Sequence, residues 1–226
     1  MHLNLFDQFK SPEVFFIPTF IPSMLIIVLF LRNKKNLIKN RSSALNSWMT
    51  KTATKTLMSQ LSSEGQKWTN LLTALFILIL MSNLMSLLPY TFSTTSQLSM
   101  NMALAIPLWL GTVLLGLITK PNLATAHLLP EGSPPILSPM LILIETISLF
   151  IRPVALGVRL TANITAGHLL IHMISSTATE LINLSTTASL ITIMILLALT
   201  LLEMAVACIQ AYVFTLLLSL YLEENT

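Results

Sequence analysis

Long apolar stretches dominate this chain. Residues 14–31 form an apolar run of 18 residues, which is long enough to cross a membrane once at about 1.5 Å of helix per residue. Residues 68–90 and 101–119 form two further runs, and the first of these has an aromatic residue near each end. The pattern predicts three roughly upright transmembrane helices over these ranges.

The last two apolar stretches are too long for upright spans. Ser138 and Pro139 predict a helix start, because a hydroxyl caps a helix well and proline suits its first position. Residues 138–174 and 189–222 would form helices of about 54 Å and about 50 Å, against a hydrocarbon core near 30 Å. We therefore expect a steeply tilted two-helix hairpin, with its turn in the polar residues 175–188.

Composition supports a membrane protein. Apolar residues make up 54% of the chain and charged residues 9%, whereas soluble domains carry about 25% charged residues. The mean hydropathy is +0.80. We expect an all-α polytopic membrane protein that forms a single membrane domain over residues 1–226. Residues 1–13 have no cleavable signal or transit peptide pattern, and the single cysteine, Cys208, excludes an intrachain disulfide.

One interval holds most of the positive charge. Between residues 32 and 67 lie eight of the 12 Lys and Arg residues and only one acid, Glu64. The positive-inside rule places this interval in the matrix or cytoplasm, which explains it better than a nucleic-acid site does. Within it, an apolar stripe that includes Leu45, Met49 and Ala53 predicts an amphipathic surface helix over residues 42–64. The N-terminus then lies outside, and both the loop 120–135 and the C-terminus lie inside.

Arg159 lies in the middle of the apolar stretch 137–173. Its guanidinium stays protonated at any cellular pH, and a charge at a helix centre costs roughly 2.5 to 3.5 kcal/mol on insertion scales. An ionisable residue at this depth indicates a functional site, usually on an ion or proton path. Because no residue of this chain is an obvious counter-charge, we expect an acidic residue on another membrane subunit.

Other polar residues accompany Arg159 in the hairpin. They are Glu145, Arg152, Asn163, His168, His172, Glu203 and Gln210. In an antiparallel hairpin, Arg159 could pair with Gln210 and His168 with Glu203. Both pairings place the turn at nearly the same residue, close to Ser185. However, Arg159 and His168 lie on opposite faces of a helix, whereas Glu203 and Gln210 share one face. The hairpin therefore needs a kink, a water bridge or a different pairing.

Simpler interpretations stand beside the functional ones. Glu145 and Arg152, seven residues apart, could form a structural ion pair. Asn163 and Gln210 could have a purely structural role, in which their hydrogen bonds hold helices together. His168 and His172 have the spacing of a metal-binding pair, but no third ligand has a matching spacing, so we predict no metal and no cofactor.

Several motifs resemble one family. The strongest is the run RLTANITAGHLL from Arg159 to Leu170, and it is followed by Leu202-Glu203 and by IQAYVF from Ile209 to Phe214. Further likeness is found at residues 87–90, 97–101 and 218–222. These motifs resemble subunit a of mitochondrial ATP synthase, and the likeness covers nearly the whole chain, least clearly before Trp68.

The resemblance implies a non-catalytic stator subunit with two offset half-channels that carry protons to and from the carboxylates of a rotating ring of c subunits. Arg159 matches the essential arginine, which favours the ionised ring carboxylate and blocks a direct leak. His168 and Glu203 match the inlet pair, Asn163 and Gln210 match residues near the arginine, and Glu145 matches a matrix-side exit carboxylate. We also include His172 in the expected path.

The resemblance further implies a multi-pass protein of the mitochondrial inner membrane, with the N-terminus in the intermembrane space and the C-terminus in the matrix. Expected partners are the c-ring, the peripheral stalk, other small membrane subunits and lipid. We expect no nucleic acid, and no nucleotide bound by this chain. Bacterial relatives commonly exchange the carboxylate and imidazole of the His168/Glu203 pair, which leaves open the residue that binds the proton first.

Other classes of protein make different demands on the sequence. A free-standing transporter or respiratory pump usually has internal repeats or discontinuous helices, and we find no repeat. A structural scaffold would not need Arg159, His168 and Glu203 within lipid. Coupling to sodium instead of protons stays open.

Overall fold

The first elements of the chain are short. The computed structural model describes residues 9–10, 12–14, 17–31, 41–58, 65–88, 91–119, 121, 138–182 and 185–225. Strands β1 (Glu13–Val14) and β2 (Ile17–Pro18) pair antiparallel, with Glu13 opposite Pro18. Helix α1 (Phe20–Leu31) follows, and α2 (Arg41–Met58) comes next along the chain.

Long helices make up the rest of the described chain. A 3₁₀ turn (Gly65–Trp68) leads directly into α3 (Thr69–Ser86). A second 3₁₀ turn (Thr94–Ser96) precedes α4 (Leu98–Thr119). Helices α5 (Ser138–Ile182) and α6 (Thr186–Asn225) are 45 and 40 residues long.

The expected all-α membrane fold is confirmed. Within the described residues, four helical segments are long and apolar enough to cross a membrane. They are Gly65–Ser86, Leu98–Thr119, Ser138–Ile182 and Thr186–Glu223. The helices predicted over 68–90, 101–119, 138–174 and 189–222 correspond to these four segments, although their ends differ. The upright or tilted setting of the helices stays a prediction.

The helix predicted over residues 14–31 is wrong at its start. The helical part is the 12 residues of α1, and the strands β1 and β2 lie before it. Proline explains the difference, because Pro18 lacks an amide hydrogen and restricts Ile17 to extended conformations. Pro22 falls within the first turn of α1, where proline is tolerated.

The stop predicted at Ser175 is also wrong, since α5 continues to Ile182. The hydroxyls of Ser175, Ser176, Thr177 and Thr179 each donate to the carbonyl three residues earlier in the same helix, at 2.7 to 2.9 Å. A hydroxyl that bonds back to its own helix does not compete for the backbone, so a cluster of them does not end the helix. Helix α6 starts at Thr186, so the change of direction falls near Ser185.

The surface helix predicted over residues 42–64 is observed as α2, Arg41–Met58. Ala53 of its apolar stripe is buried, whereas Leu45 is 57% exposed and Trp48 is 65% exposed. Its contact with a membrane surface stays a prediction. Residues 59–64, the basic residues 32–40 and most of the loop 120–135 lie outside the described residues.

The chain divides into two compact units. The first unit comprises Met1–Leu37, Ile77–Gln97 and Leu160–Tyr212, and the second comprises Ile38–Phe76, Leu98–Arg159 and Val213–Thr226. The second unit has an apolar core in which Trp68 and Leu108 pack against Leu72, Leu218 and Leu222. The first unit buries many polar side chains, among them Ser82, Asn83, Ser86, Glu203 and Gln210.

Helices α4 and α5 approach closely within the second unit. A Cβ added at Gly157 would lie 2.6 Å from Sδ of Met102, which is closer than real Cβ contacts. Small residues permit such approaches between membrane helices. By contrast, a Cβ added at Gly111 would meet nothing within 4 Å.

We predict that the Gly157→Ala variant is less stable than the Gly111→Ala variant by about 1 kcal/mol, because the added Cβ must displace the flexible side chain of Met102. Gly111→Ala is the matched control and should be neutral or slightly stabilising, since alanine favours the helix. The measurement is the thermal unfolding temperature of each variant in native membranes. Equal temperatures for the two variants would contradict the close packing at Gly157.

Candidate functional site

An imidazole and a carboxylate face each other inside the first unit. Nδ1 of His168 on α5 lies 3.9 Å from Oε1 of Glu203 on α6. That separation is too long for a hydrogen bond. Both carboxylate oxygens of Glu203 and Nε2 of His168 are buried and have no hydrogen-bond partner among the described residues.

Gly167 makes this arrangement possible. A Cβ added there would lie 2.5 Å from Oε1 and 2.9 Å from the carboxyl carbon of Glu203. Because the glycine has no side chain, the carboxylate of Glu203 occupies the space beside α5 and comes next to His168. The close approach of Gly167 to Glu203 was not predicted from the sequence.

A cavity of about 420 Å³ opens beside this pair. Its polar lining consists of His168, Glu203, Ser86, Thr91 and Thr200. One water fills about 30 Å³ of liquid, so the cavity has room for several water molecules. Proteins hold internal water where buried polar groups that lack partners border a space with enough room. The cavity can therefore hold water molecules that form hydrogen bonds with Glu203 and His168.

A second pair of polar side chains lies further along the same two helices. Nδ2 of Asn163 donates to Oε1 of Gln210 at 2.9 Å. The pairing of Arg159 with Gln210 expected from the sequence is therefore corrected, because Gln210 accepts from Asn163 instead. Asn163 and Gly167 are four residues apart and share one face of α5, opposite the face of α6 that carries Glu203 and Gln210.

The two pairs are joined by open space. A smaller cavity of about 190 Å³ is lined by Asn163, Gly167 and Glu203, among other residues. Polar groups thus follow one another along the contact of α5 with α6, from His168 and Glu203 to Asn163 and Gln210.

Arg159 lies one turn before Asn163 on α5. Its side chain is exposed, and it has no hydrogen bond or ion pair with any residue in the described part of the chain. The acidic partner expected for Arg159 on another subunit stays a prediction.

The other arginine of α5 has its partners within the chain. In the second unit, Nη2 of Arg152 lies 3.5 Å from Oε1 of Glu145, and the guanidinium carbon lies 5.2 Å from the centre of the Tyr221 ring. The face of the Tyr221 ring attracts the Arg152 cation, and this attraction adds to that of the Glu145 carboxylate. This geometry favours the interpretation of Glu145 and Arg152 as an ion pair, and the aromatic contact of Tyr221 was missed from the sequence.

His172 does not join either pair. It is exposed, one turn after His168 on α5. Groups of three or more His, Cys, Asp or Glu side chains that could hold a metal ion are not found among the described residues.

Asn83 of α3 is a further buried polar residue, which was not predicted from the sequence. It is fully buried, and its Nδ2 donates to the main-chain carbonyl of Ala207 on α6 at 3.4 Å. An asparagine in the middle of an apolar run is itself a signal, since polar residues within membrane helices face other helices or cavities.

The fold and this set of residues define a class. Polytopic helical proteins with ionisable side chains on interior helix faces and beside polar cavities are typical of proteins that move ions or protons across membranes. Residues 14–223 match the family of the ATP synthase A chain. The chain belongs to this family.

Curated relatives cover the whole chain. The proteins named ATP synthase F(0) complex subunit a from Struthio camelus and Lycodon semicarinatus are 56% and 54% identical to it, each over 226 residues. The protein of that name from Xenopus laevis is 54% identical over 228 residues. In all three comparisons, 100% of this chain and 100% of the relative are covered.

We predict that exchanging the facing residues, by His168→Glu together with Glu203→His, retains more ATP synthesis than either substitution alone. The double variant keeps one imidazole and one carboxylate side by side, whereas each single variant juxtaposes two groups of the same kind. The measurement is ATP synthesis in membrane vesicles, normalised to assembled complex. A double variant no better than the worse single variant would contradict direct communication between the two side chains.

Proposed function

We propose that this chain is the proton-translocating stator subunit of the membrane sector of an ATP synthase. It lines two half-channels that carry protons to and from carboxylates on a rotating ring of c subunits. Membership in the ATP synthase A chain family supports this function. The observation that carries the mechanism is the exposed Arg159, whose charge has no partner among the described residues.

The role of Arg159 follows from electrostatics. A charge without a partner at bilayer depth costs roughly 2.5 to 3.5 kcal/mol, and a carboxylate on a neighbouring chain would offset that cost. Arg159 in turn favours the ionised form of that carboxylate as each ring subunit passes. A proton cannot cross directly between the half-channels, because the fixed positive charge of Arg159 repels it.

The inlet half-channel lies at His168 and Glu203. The cavity of about 420 Å³ beside them supports this assignment, because its polar lining can hold water next to both groups. A proton that arrives by water can be taken up by the carboxylate or by the imidazole, whose Oε1 and Nδ1 atoms lie 3.9 Å apart. Asn163 and Gln210 then guide it along the α5–α6 contact toward the ring.

The exit half-channel begins beyond Arg159, and Glu145 is its candidate carboxylate. The ion pair with Arg152 fixes the position of Glu145. His172, one turn from His168 and exposed, belongs to the inlet side of the same path.

Rotation is the output of this proton flow. One charge that crosses 100 mV supplies about 2.3 kcal/mol, so several protons are needed for each ATP, and a stepping ring accumulates them.

Nucleotide chemistry belongs to other subunits, and this chain acts without a cofactor. Its partners are the c-ring, the peripheral stalk, small membrane subunits and lipid. The setting is the mitochondrial inner membrane, with the N-terminus in the intermembrane space and the C-terminus in the matrix.

We predict that Arg159→Ala abolishes proton-driven ATP synthesis while the complex still assembles, because the substitution removes the charge without removing a hydrogen bond or an ion pair within the described part of the chain. ATP synthesis in vesicles and the quantity of assembled complex on native gels are the two measurements. Lys55→Ala, which removes an exposed cation of α2, is the control and should leave both unchanged. Synthesis at the normal rate in the arginine variant would refute the proposed role.

We predict that Gly167→Ala impairs proton flow although no polar group is lost. The added Cβ would collide with the Glu203 carboxylate and force it away from His168. We expect at least about a tenfold loss of ATP synthesis per assembled complex, equivalent to about 1.4 kcal/mol. Ala166→Gly, at the neighbouring exposed position, is the control and should retain synthesis. Equal rates for the two variants would show that the position of the Glu203 carboxylate is unimportant.

A further inference from the structure

The aromatic ring of Tyr221 joins α6 to an ion pair of α5. Nη2 of Arg152 lies 3.5 Å from Oε1 of Glu145, and the guanidinium carbon lies 5.2 Å from the centre of the Tyr221 ring. A cation within about 6 Å of a ring centre is attracted by the face of the ring. Arg152 is thus held on one side by a carboxylate of its own helix and on the other by an aromatic side chain of α6.

The carboxylate alone is a weak constraint on the arginine. A separation of 3.5 Å is longer than that of a typical N–H···O hydrogen bond, about 2.7 to 3.2 Å. The side chains of Arg152 and Glu145 are 25% and 31% exposed, and an ion pair that solvent reaches is weak. Both side chains are also long and lose rotamer freedom when they are held. A second contact on Arg152 therefore also decides where Glu145 lies.

Tyr221 is the rigid member of the three. Its side chain has only two rotatable torsions, and it lies on an anchored part of α6. Leu218 and Leu222, on either side of it in the sequence, are each 2% exposed and pack with Leu72 and Trp68. The aromatic ring therefore has a fixed place against which the flexible guanidinium is set.

Helix α5 is anchored at the same level. The ring of Phe150, two residues before Arg152, lies 6.0 Å from the ring of Trp109 on α4, and Trp109 is buried. Aromatic pairs at such distances stabilise the contact between their helices. The freedom that is left in this contact therefore lies mainly in the side chains of Arg152 and Glu145.

Arg152 lies midway between two residues of the proposed proton path. It is seven residues from Glu145 and seven from Arg159, so about 10 Å of helix separates it from each. The three residues follow nearly one stripe of α5. A cation free to turn along this stripe would repel protons that move toward Glu145.

We propose that Tyr221 is a positioning residue of the exit half-channel. Its aromatic face holds Arg152 against Glu145, so that the carboxylate stays in place to receive protons and the cation stays out of their way. The inference rests on the proposed function, in which Glu145 is the exit carboxylate. Tyr221 acts through Arg152 and itself neither gains nor loses a proton.

A role in packing alone is the competing explanation, in which Tyr221 only fills space at the end of α6. That role predicts that an apolar side chain of similar size replaces the tyrosine, or that its loss lowers the quantity of assembled complex. A positioning role predicts that ATP synthesis falls in complexes that are fully assembled, and that only an aromatic side chain restores it.

The first test replaces Tyr221 in the complete ATP synthase. Tyr221→Phe keeps the aromatic face and should retain most of the proton-driven ATP synthesis per assembled complex. Tyr221→Leu removes the face, and we expect roughly a threefold to tenfold loss, which is the scale of a cation–π contact. Leu220→Ala, at the neighbouring exposed position, is the control and should be normal. Equal rates for the phenylalanine and leucine variants would overturn the inference.

Tyr221→Met covers the case in which the leucine variant does not assemble. Methionine is flexible and fills irregular gaps, but it has no aromatic face. We expect the same loss of synthesis as in Tyr221→Leu. If neither variant assembles, Tyr221 is a packing residue and the inference is wrong.

The second test asks whether Tyr221 acts through Arg152. Arg152→Gln removes the cation and should cause a partial loss of synthesis, because Glu145 itself is retained. Adding Tyr221→Leu to Arg152→Gln should cause no further loss, since residues that act through one contact are not additive. A further loss as large as that of Tyr221→Leu alone would show an independent role. A complete loss in Arg152→Gln would show that Arg152 does more than position Glu145. Either result would refute the inference.

The two levels of the hypothesis fail differently. If Arg159→Ala and Glu203→Gln leave ATP synthesis unchanged, the proposed function itself fails. If both abolish synthesis while Tyr221→Leu and Tyr221→Phe are equally active, only the role of Tyr221 is refuted.

Discussion

The cost of a permanent charge in lipid is the constraint on which this structure depends. Helix α5 carries two arginines seven residues apart, on nearly the same stripe. Arg152 is balanced within the chain by Glu145 and by the ring of Tyr221, whereas Arg159 has no partner among the described residues. The two guanidinium groups on one helix thus differ in their environments, since one has partners among the described residues and the other does not. That contrast distinguishes a cation with partners in its own chain from one whose partner we propose to lie on another chain.

The contact of α5 with α6 depends on a missing side chain. Gly167 leaves the space in which Glu203 lies, so that its carboxylate is buried next to His168 and beside a cavity with several polar groups in its lining. A buried carboxylate without a hydrogen-bond partner is unfavourable for stability. Sites of this kind persist where function requires an acceptor that is free to bind, and proton transfer is such a function.

Several features were predictable because they depend on local chemistry. The apolar runs predicted the membrane helices, and Ser138 with Pro139 predicted the start of α5 correctly. Two boundaries were not predictable in this way. The serines and threonines after His172 bond back to their own helix instead of ending it, and Pro18 keeps the start of the first predicted helix extended. In both cases, two local preferences of the same residues compete, and the sequence does not reveal which prevails.

From the sequence alone, residue type and period determined that this is a helical membrane protein with a charge at bilayer depth, and that His168 and Glu203 could meet. Only the tertiary structure decided that Gln210 pairs with Asn163, and that Asn83 reaches α6 at Ala207. The reason is physical. Hydropathy and helical period are properties of single segments, whereas the pairing of side chains depends on the register and close approach of two helices, which one small residue can change.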